Sequence, residues 1–192
     1  MKAKFLDDNF YHVYNRGAHK SRIFFTDGNY EYCLDLMRKY TVKYRVSTIA
    51  YCLMPNHYHL LLRQNAGGSI GRFLQTTFNA YTQAVNKQQK LHGTLFESRA
   101  QSLHVDSETY LLRLVCYIHC NPVAAGLVTS PEQWRFSDYS VWAGLRKGEG
   151  NDTNLREMYF ERGTDYVTFV EEYLSQIAEA KKCNVEKPCE GL

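Results

Sequence analysis

Residues 46–63 read VSTIAYCLMPNHYHLLLR, two apolar runs joined by Pro55-Asn56. Such runs around a turn dipeptide predict a β-hairpin, and a hairpin commits the chain to an antiparallel sheet. The neighbouring segments extend the pattern. Residues 10–18 read as a strand ending in a turn at Gly17. Residues 28–44 carry Cys33, Leu34, Met37, Tyr40 and Tyr44 at helical spacing. A second helix is expected over 69–89, with Ser69 as N-cap, followed by a strand over 95–105. A third helix is expected over 107–121, capped by Ser107 and ended by Pro122. The first six elements give the order β-α-β-β-α-β. This predicts an α+β fold, the ferredoxin-like split βαβ, with a four-stranded antiparallel sheet and two helices on one face.

Beyond Gly126 the pattern weakens. WRFSDYSVW (134–142) is expected to pack on the core, and 144–154 reads as an exposed loop. An amphipathic helix is expected over 165–182, and the tail 183–192 reads as disordered. The domain expectation is therefore a functional unit over 1–142 and an extension over 143–192.

The 192 residues include six cysteines without a CxxC pair, which read as reduced thiols, mostly buried. Apolar runs are too short for a transmembrane helix, and the N-terminus lacks the apolar stretch of a signal peptide. A cytoplasmic protein without a membrane partner is expected. The net charge of +3 conceals an asymmetry: residues 1–105 carry 14 Lys+Arg against 6 Asp+Glu, and residues 106–192 carry 9 against 14. A balance of +8 beside −5 hints at a polyanion-binding face.

Two constellations carry chemistry. In Pro55-Asn56-His57-Tyr58-His59, the period of a strand puts His57 and His59 on one face and Tyr58, Leu60 and Leu62 on the other. Imidazoles roughly 6–7 Å apart along a strand can converge on one metal ion. In Tyr117-Ile118-His119-Cys120-Asn121-Pro122, Tyr117 and Asn121 share a helix face at i and i+4, at the margin of the buried stripe. His119 points elsewhere and reads as structural. Taken singly, each has a plainer reading: a chance HxH, a packing tyrosine, a C-capping asparagine.

In combination and order, these pieces resemble the single-tyrosine HUH, or IS200-like, transposases, and within them the REP-associated tyrosine transposases. YHVYNRG (11–17), RIFF (22–25), GTLFESR (93–99), YIHCNPVAAGLV (117–128) and WRFSDYS (134–140) agree. The resemblance spans roughly residues 10–142. Tyr58 stands where the family has a bulky apolar residue, and its ring can fill the same site. The resemblance implies a metal-dependent endonuclease and strand transferase acting on single-stranded DNA, often at hairpins. It implies Tyr117 as nucleophile, and His57, His59 and Asn121 as ligands of Mg²⁺ or Mn²⁺. The DNA-binding candidates are Arg16, Asn15, Lys20, Arg22, Arg63, Arg72 and Arg99, with Arg16 the first choice because Asn15-Arg16-Gly17 matches a family motif. Either a monomer or a homodimer is compatible. Two other readings share the scaffold: a non-catalytic nucleic-acid-binding module, and a metal-dependent phosphodiesterase without a covalent step.

Overall fold

A computed structural model describes residues 5–148 and 154–182. The expected hairpin is present, with β2 at Val46–Met54 and β3 at His57–Gln64. Met54 lies opposite His57, and Cys52 opposite His59. Strand β1, Phe10–Arg16, pairs antiparallel with β3 on one side and with β4, Gln101–Val105, on the other. The sheet order is β2-β3-β1-β4, as the split βαβ arrangement requires.

Helices α1 (Asp27–Tyr44) and α2 (Ile70–Gln89) cover one face. Tyr58, Leu60 and Leu62 point into the core beneath them, together with Tyr11 and Val13 of β1. The Tyr58 ring is stacked on Phe78 at 4.2 Å and meets Phe96 edge-on, so it fills an aromatic layer. Ser69 caps α2 by accepting from the Arg72 amide at 3.2 Å. The opposite face carries Ile49, Ala50, Cys52 and Leu61, which form a second core with α3, Glu108–Ala124, and α6, Gly163–Lys182. A bulge at Ile49 sends both Ile49 and Ala50 to this second core. It also shifts the strand's phase, so Val46 before it and Tyr51 and Leu53 after it share the first core.

Two expected boundaries moved. The strand expected over 95–105 is regular only from Gln101. Before that the chain runs beside the end of β1, with one bridge between Gly17 and Phe96, and Asn15 donates to the Ser98 carbonyl at 3.0 Å. A side chain thus holds the peptide group that a partner strand would otherwise occupy. Second, Pro122 does not end α3. A proline removes its own N–H but leaves its carbonyl usable, and Ala125, Gly126 and Leu127 donate to the carbonyls of Asn121, Val123 and Pro122. The helix therefore continues one turn further.

The 134–142 segment packs along the outer edge of β2. Leu53 N–H donates to Phe136 O at 2.9 Å, and the indoles of Trp134 and Trp142 donate to Leu53 O and Ile49 O. Its last residues form α4, Tyr139–Trp142, and a short α5 follows at Asn154–Tyr159, where the expected loop ends. The rest of that loop, 149–153, and the 183–192 tail with Cys183 and Cys189 lie outside the described residues. Cys33, Cys52, Cys116 and Cys120 are buried free thiols. Among the described residues no helix is long and apolar enough to cross a membrane.

Candidate active site

Strand alternation places Tyr14, Arg16, His57 and His59 on the sheet face that α3 covers. Arg16 is paired across strands with His57, and Tyr14 with His59. Across from them, α3 presents Tyr117 and Asn121 one turn apart. The Tyr117 ring stands edge-on to His59, with centroids 5.3 Å apart. Asn121 Oδ1 is 3.4 Å from His57 Nε2. Its amide nitrogen donates to the Tyr117 carbonyl at 3.1 Å, which fixes the direction of the amide oxygen. The asparagine thus ties itself to its own helix and turns its acceptor toward the sheet.

The imidazoles are crowded, His59 buried and His57 half-buried. His57 and His59 stand edge-on, with centroids 5.1 Å apart. His59 is 6 % exposed. Burial holds its pKa well below the usual histidine range, and the neighbouring His12 and His57 lower it further. Burial also lowers the pKa of His57; the Asn121 contact raises it in part, and Arg16 lowers it again. At neutral pH both rings are therefore neutral, the form in which imidazole ligates a metal.

A neutral His57 has one ring proton and faces two amide oxygens. Asn56 Oδ1 is 2.7 Å from Nδ1, the shorter contact, and so is the favoured acceptor of the N–H. The lone pair on Nε2 then confronts the Asn121 oxygen at 3.4 Å. Two acceptors held face to face are mutually unfavourable until a cation lies between them. This donor set, imidazole nitrogen and amide oxygen, suits a divalent ion. Among the described residues no group of three or more His, Cys, Asp or Glu is placed to hold a metal. An ion here would rest on the two imidazoles and the amide, leaving room in its shell for substrate oxygens.

One neighbour was not foreseen. His12 of β1 is fully buried, and its Nε2 lies 3.0 Å from His59 Nδ1. The alternation of His12, Tyr14 and Arg16 along β1 puts them on one face, but only the β1–β3 register reveals that this face is shared with His57 and His59.

His119 lies on the other side of α3, as expected from the helix period. It is fully buried, with Nε2 2.8 Å from Asp138 Oδ1 and Nδ1 2.6 Å from the Tyr166 hydroxyl. Asp138 Oδ1 also accepts from the Tyr51 amide at 2.6 Å. This network pins α3 to the edge of β2 and to α6.

The basic candidates divide. Arg16 reaches the site but is engaged by Glu97 at 2.8 Å. Lys20, Arg22 and Arg99 are exposed. Lys20 sits in the left-handed turn after β1, and Asn56 donates to its carbonyl at 3.3 Å. Asn15 faces away from the histidines and braces the 95–100 segment. Arg63 is at the far end of β3, paired with Asp8 at 2.7 Å, and Arg72 lies on α2, beyond the opposite face. Neither belongs to the cluster around Tyr117.

Residues 7–121 match the family model described as "Transposase IS200 like". The structure is similar to that of a REP-associated tyrosine transposase bound to a REP hairpin, with a TM-score of 0.64 at 16 % identity over 79 % of this chain and 93 % of that one. It is more distantly similar to a candidate transposase from Deinococcus radiodurans R1, with a TM-score of 0.44 at 21 % identity over 62 % of this chain and 95 % of that one. No curated protein matches the sequence.

Proposed function

The chain belongs to the IS200-like transposases, and from that premise we propose that it cuts and rejoins single-stranded DNA at hairpins through a covalent tyrosine intermediate. The observation that carries the reading is the meeting of His57 Nε2 and Asn121 Oδ1 at 3.4 Å, one helical turn from a tyrosine edge-on to His59. The hairpin substrate is supported by the likeness to a transposase whose structure holds one.

In this reading His57, His59 and Asn121 hold Mg²⁺ or Mn²⁺. When bound, such an ion neutralises charge developing on the scissile phosphate. Tyr117 supplies the nucleophile: its hydroxyl oxygen gives up its proton and bonds to phosphorus, the P–O3′ bond breaks, and the departing 3′ oxygen takes up a proton in exchange. The products are a 5′-phosphotyrosine and a free 3′-OH. Because one phosphodiester replaces another, attack by a 3′-OH reverses the step and joins strands without ATP. Arg16, Lys20, Arg22 and Arg99 supply phosphate contacts near the end of β1. Asn15 supports them by bracing the segment that carries Arg99. Arg63 and Arg72 could act only on DNA extending well beyond the site.

The test is a labelled single-stranded hairpin incubated with protein and Mg²⁺ or Mn²⁺. A denaturation-resistant adduct is expected, and it should vanish in Tyr117→Phe while hairpin binding persists. Cleavage that survives this substitution would sink the covalent step and favour a phosphodiesterase. Binding without cleavage in the parent protein would favour a non-catalytic module.

A further inference from the structure

His12 and His59 are two buried imidazoles that must share one hydrogen. Their facing nitrogens are 3.0 Å apart, and the rings are nearly parallel, with centroids 5.2 Å apart. Two arrangements are possible. If His12 Nε2–H donates, the proton of neutral His59 sits on Nε2, and the ring has no lone pair to offer a cation. If His59 Nδ1–H donates, His59 Nε2 is free to ligate, and the proton of His12 sits on Nδ1. Among the described residues His12 Nδ1 has no hydrogen-bond partner. A buried polar atom without a partner is costly in either arrangement. A phenylalanine would fill the same position without that cost. The imidazole is explained only if its Nε2 does something a ring carbon cannot.

We propose that His12 is a positioning residue that accepts the Nδ1–H of His59 and so holds His59 in the tautomer and orientation that turns Nε2 toward a divalent cation. The inference rests on the metal reading under the proposed function. Metal-bound histidines commonly donate their second N–H to a carboxylate or carbonyl, and losing that partner weakens metal binding about 10–100-fold. Here a neutral imidazole fills that place. β1 is thereby tied to the function through a side chain that meets neither DNA nor metal. The placement suits the role: His12 is fully buried in the middle of its strand, opposite Leu61 on one side and Leu103 on the other. Its ring also stands edge-on to Tyr117, with centroids 6.2 Å apart.

The test compares parent protein, His12→Phe, His12→Gln and His57→Ala. Mn²⁺ affinity is measured on the DNA-free protein by the electron paramagnetic resonance signal of unbound Mn²⁺, beside thermal melting and hairpin binding. His12→Phe should melt close to the parent, since it removes one unpartnered nitrogen and leaves another at His59 Nδ1, and should bind hairpin normally, yet bind Mn²⁺ about 10–100-fold more weakly. In cleavage it should raise the Mn²⁺ concentration needed for half-maximal rate far more than it lowers the rate at saturation. His12→Gln, which keeps an acceptor, should recover most of the affinity. Unchanged Mn²⁺ affinity in His12→Phe, with affinity lost in His57→Ala, would overturn the role of His12 and leave the metal reading standing. No Mn²⁺ binding by the parent would overturn both. Should His12→Phe fail to fold, nitrogen-15 NMR of the metal-free parent decides: His59 should carry its proton on Nδ1, and a proton on Nε2 would refute the proposal.

Discussion

Helix α3 carries polar residues to two opposite surroundings. On one side His119 is satisfied at both nitrogens, by a carboxyl at 2.8 Å and a hydroxyl at 2.6 Å, and the carboxyl in turn holds a strand amide. Every partner there complements the next, and the network is closed. On the other side His57 meets two amide oxygens with one proton to share. Both regions centre on imidazole, His119 fully buried and His57 half-buried, so residue type does not distinguish them. The balance of donors and acceptors does. A closed network fixes a helix, whereas surplus acceptors are what the proposed metal reading requires.

The sharpest way to break this comparison is to remove one histidine from each side. His57→Ala should lower Mg²⁺- or Mn²⁺-dependent cleavage by about 10³-fold or more, roughly 4 kcal/mol in the barrier, with little loss of stability. His119→Ala should do the reverse. It leaves a buried carboxyl short of a donor and opens a cavity, so denaturant unfolding should show a loss of about 3 kcal/mol. Equal losses of stability in the two variants would erase the distinction.

Acid should sharpen it next. Burial lowers the pKa of His12 to about 4, below the unfolded value near 6.5. Between those values the unfolded chain binds more protons, so stability is complete above about pH 6.5 and falls as pH drops toward about 4. His12 alone would account for about 3 kcal/mol at full effect, and His59, shifted in the same direction, adds to it. Urea midpoints at pH 7 and pH 5 should show the fall, and it should be shallower in His12→Phe. A flat profile would mean these rings are not buried as described.

Smaller effects separate the supporting atoms. Asn56→Ala should raise the Mn²⁺ requirement for cleavage about tenfold, because the Nδ1–H of His57 loses its acceptor. Tyr166→Phe should cost about 1 kcal/mol in unfolding and leave cleavage of the folded protein unchanged. A cleavage defect in Tyr166→Phe would mean that the anchoring side tunes the site directly.

Much of this arrangement was legible in sequence. Alternation around Pro55-Asn56 gave the hairpin and the shared face of His57 and His59, and the helical period separated Tyr117 and Asn121 from His119. Those features are local, set by periods of two and 3.6. His12 was illegible because its role depends on the register of β1 against β3, a long-range pairing that no local period encodes. The bulge at Ile49 was hidden for a related reason, since an uninterrupted apolar run does not show where its phase shifts. The end of α3 is hidden because a proline marks where a donor is missing, not whether its carbonyl and its neighbours' still accept. The positions of Arg63 and Arg72 away from the cluster are hidden because charge carries no direction.

The ion pair between Arg16 and Glu97 bears on how DNA binding would respond to salt. A phosphate arriving at Arg16 meets a guanidinium already neutralised by a carboxylate. The encounter is then an anion exchange: the expelled Glu97 gathers cations from solution as the phosphate sheds its own. Such a contact adds little to the slope of affinity against salt, which counts net neutralised phosphates. Glu97→Gln should steepen that slope by roughly one unit. In the parent protein the slope would then report fewer phosphates than the DNA touches.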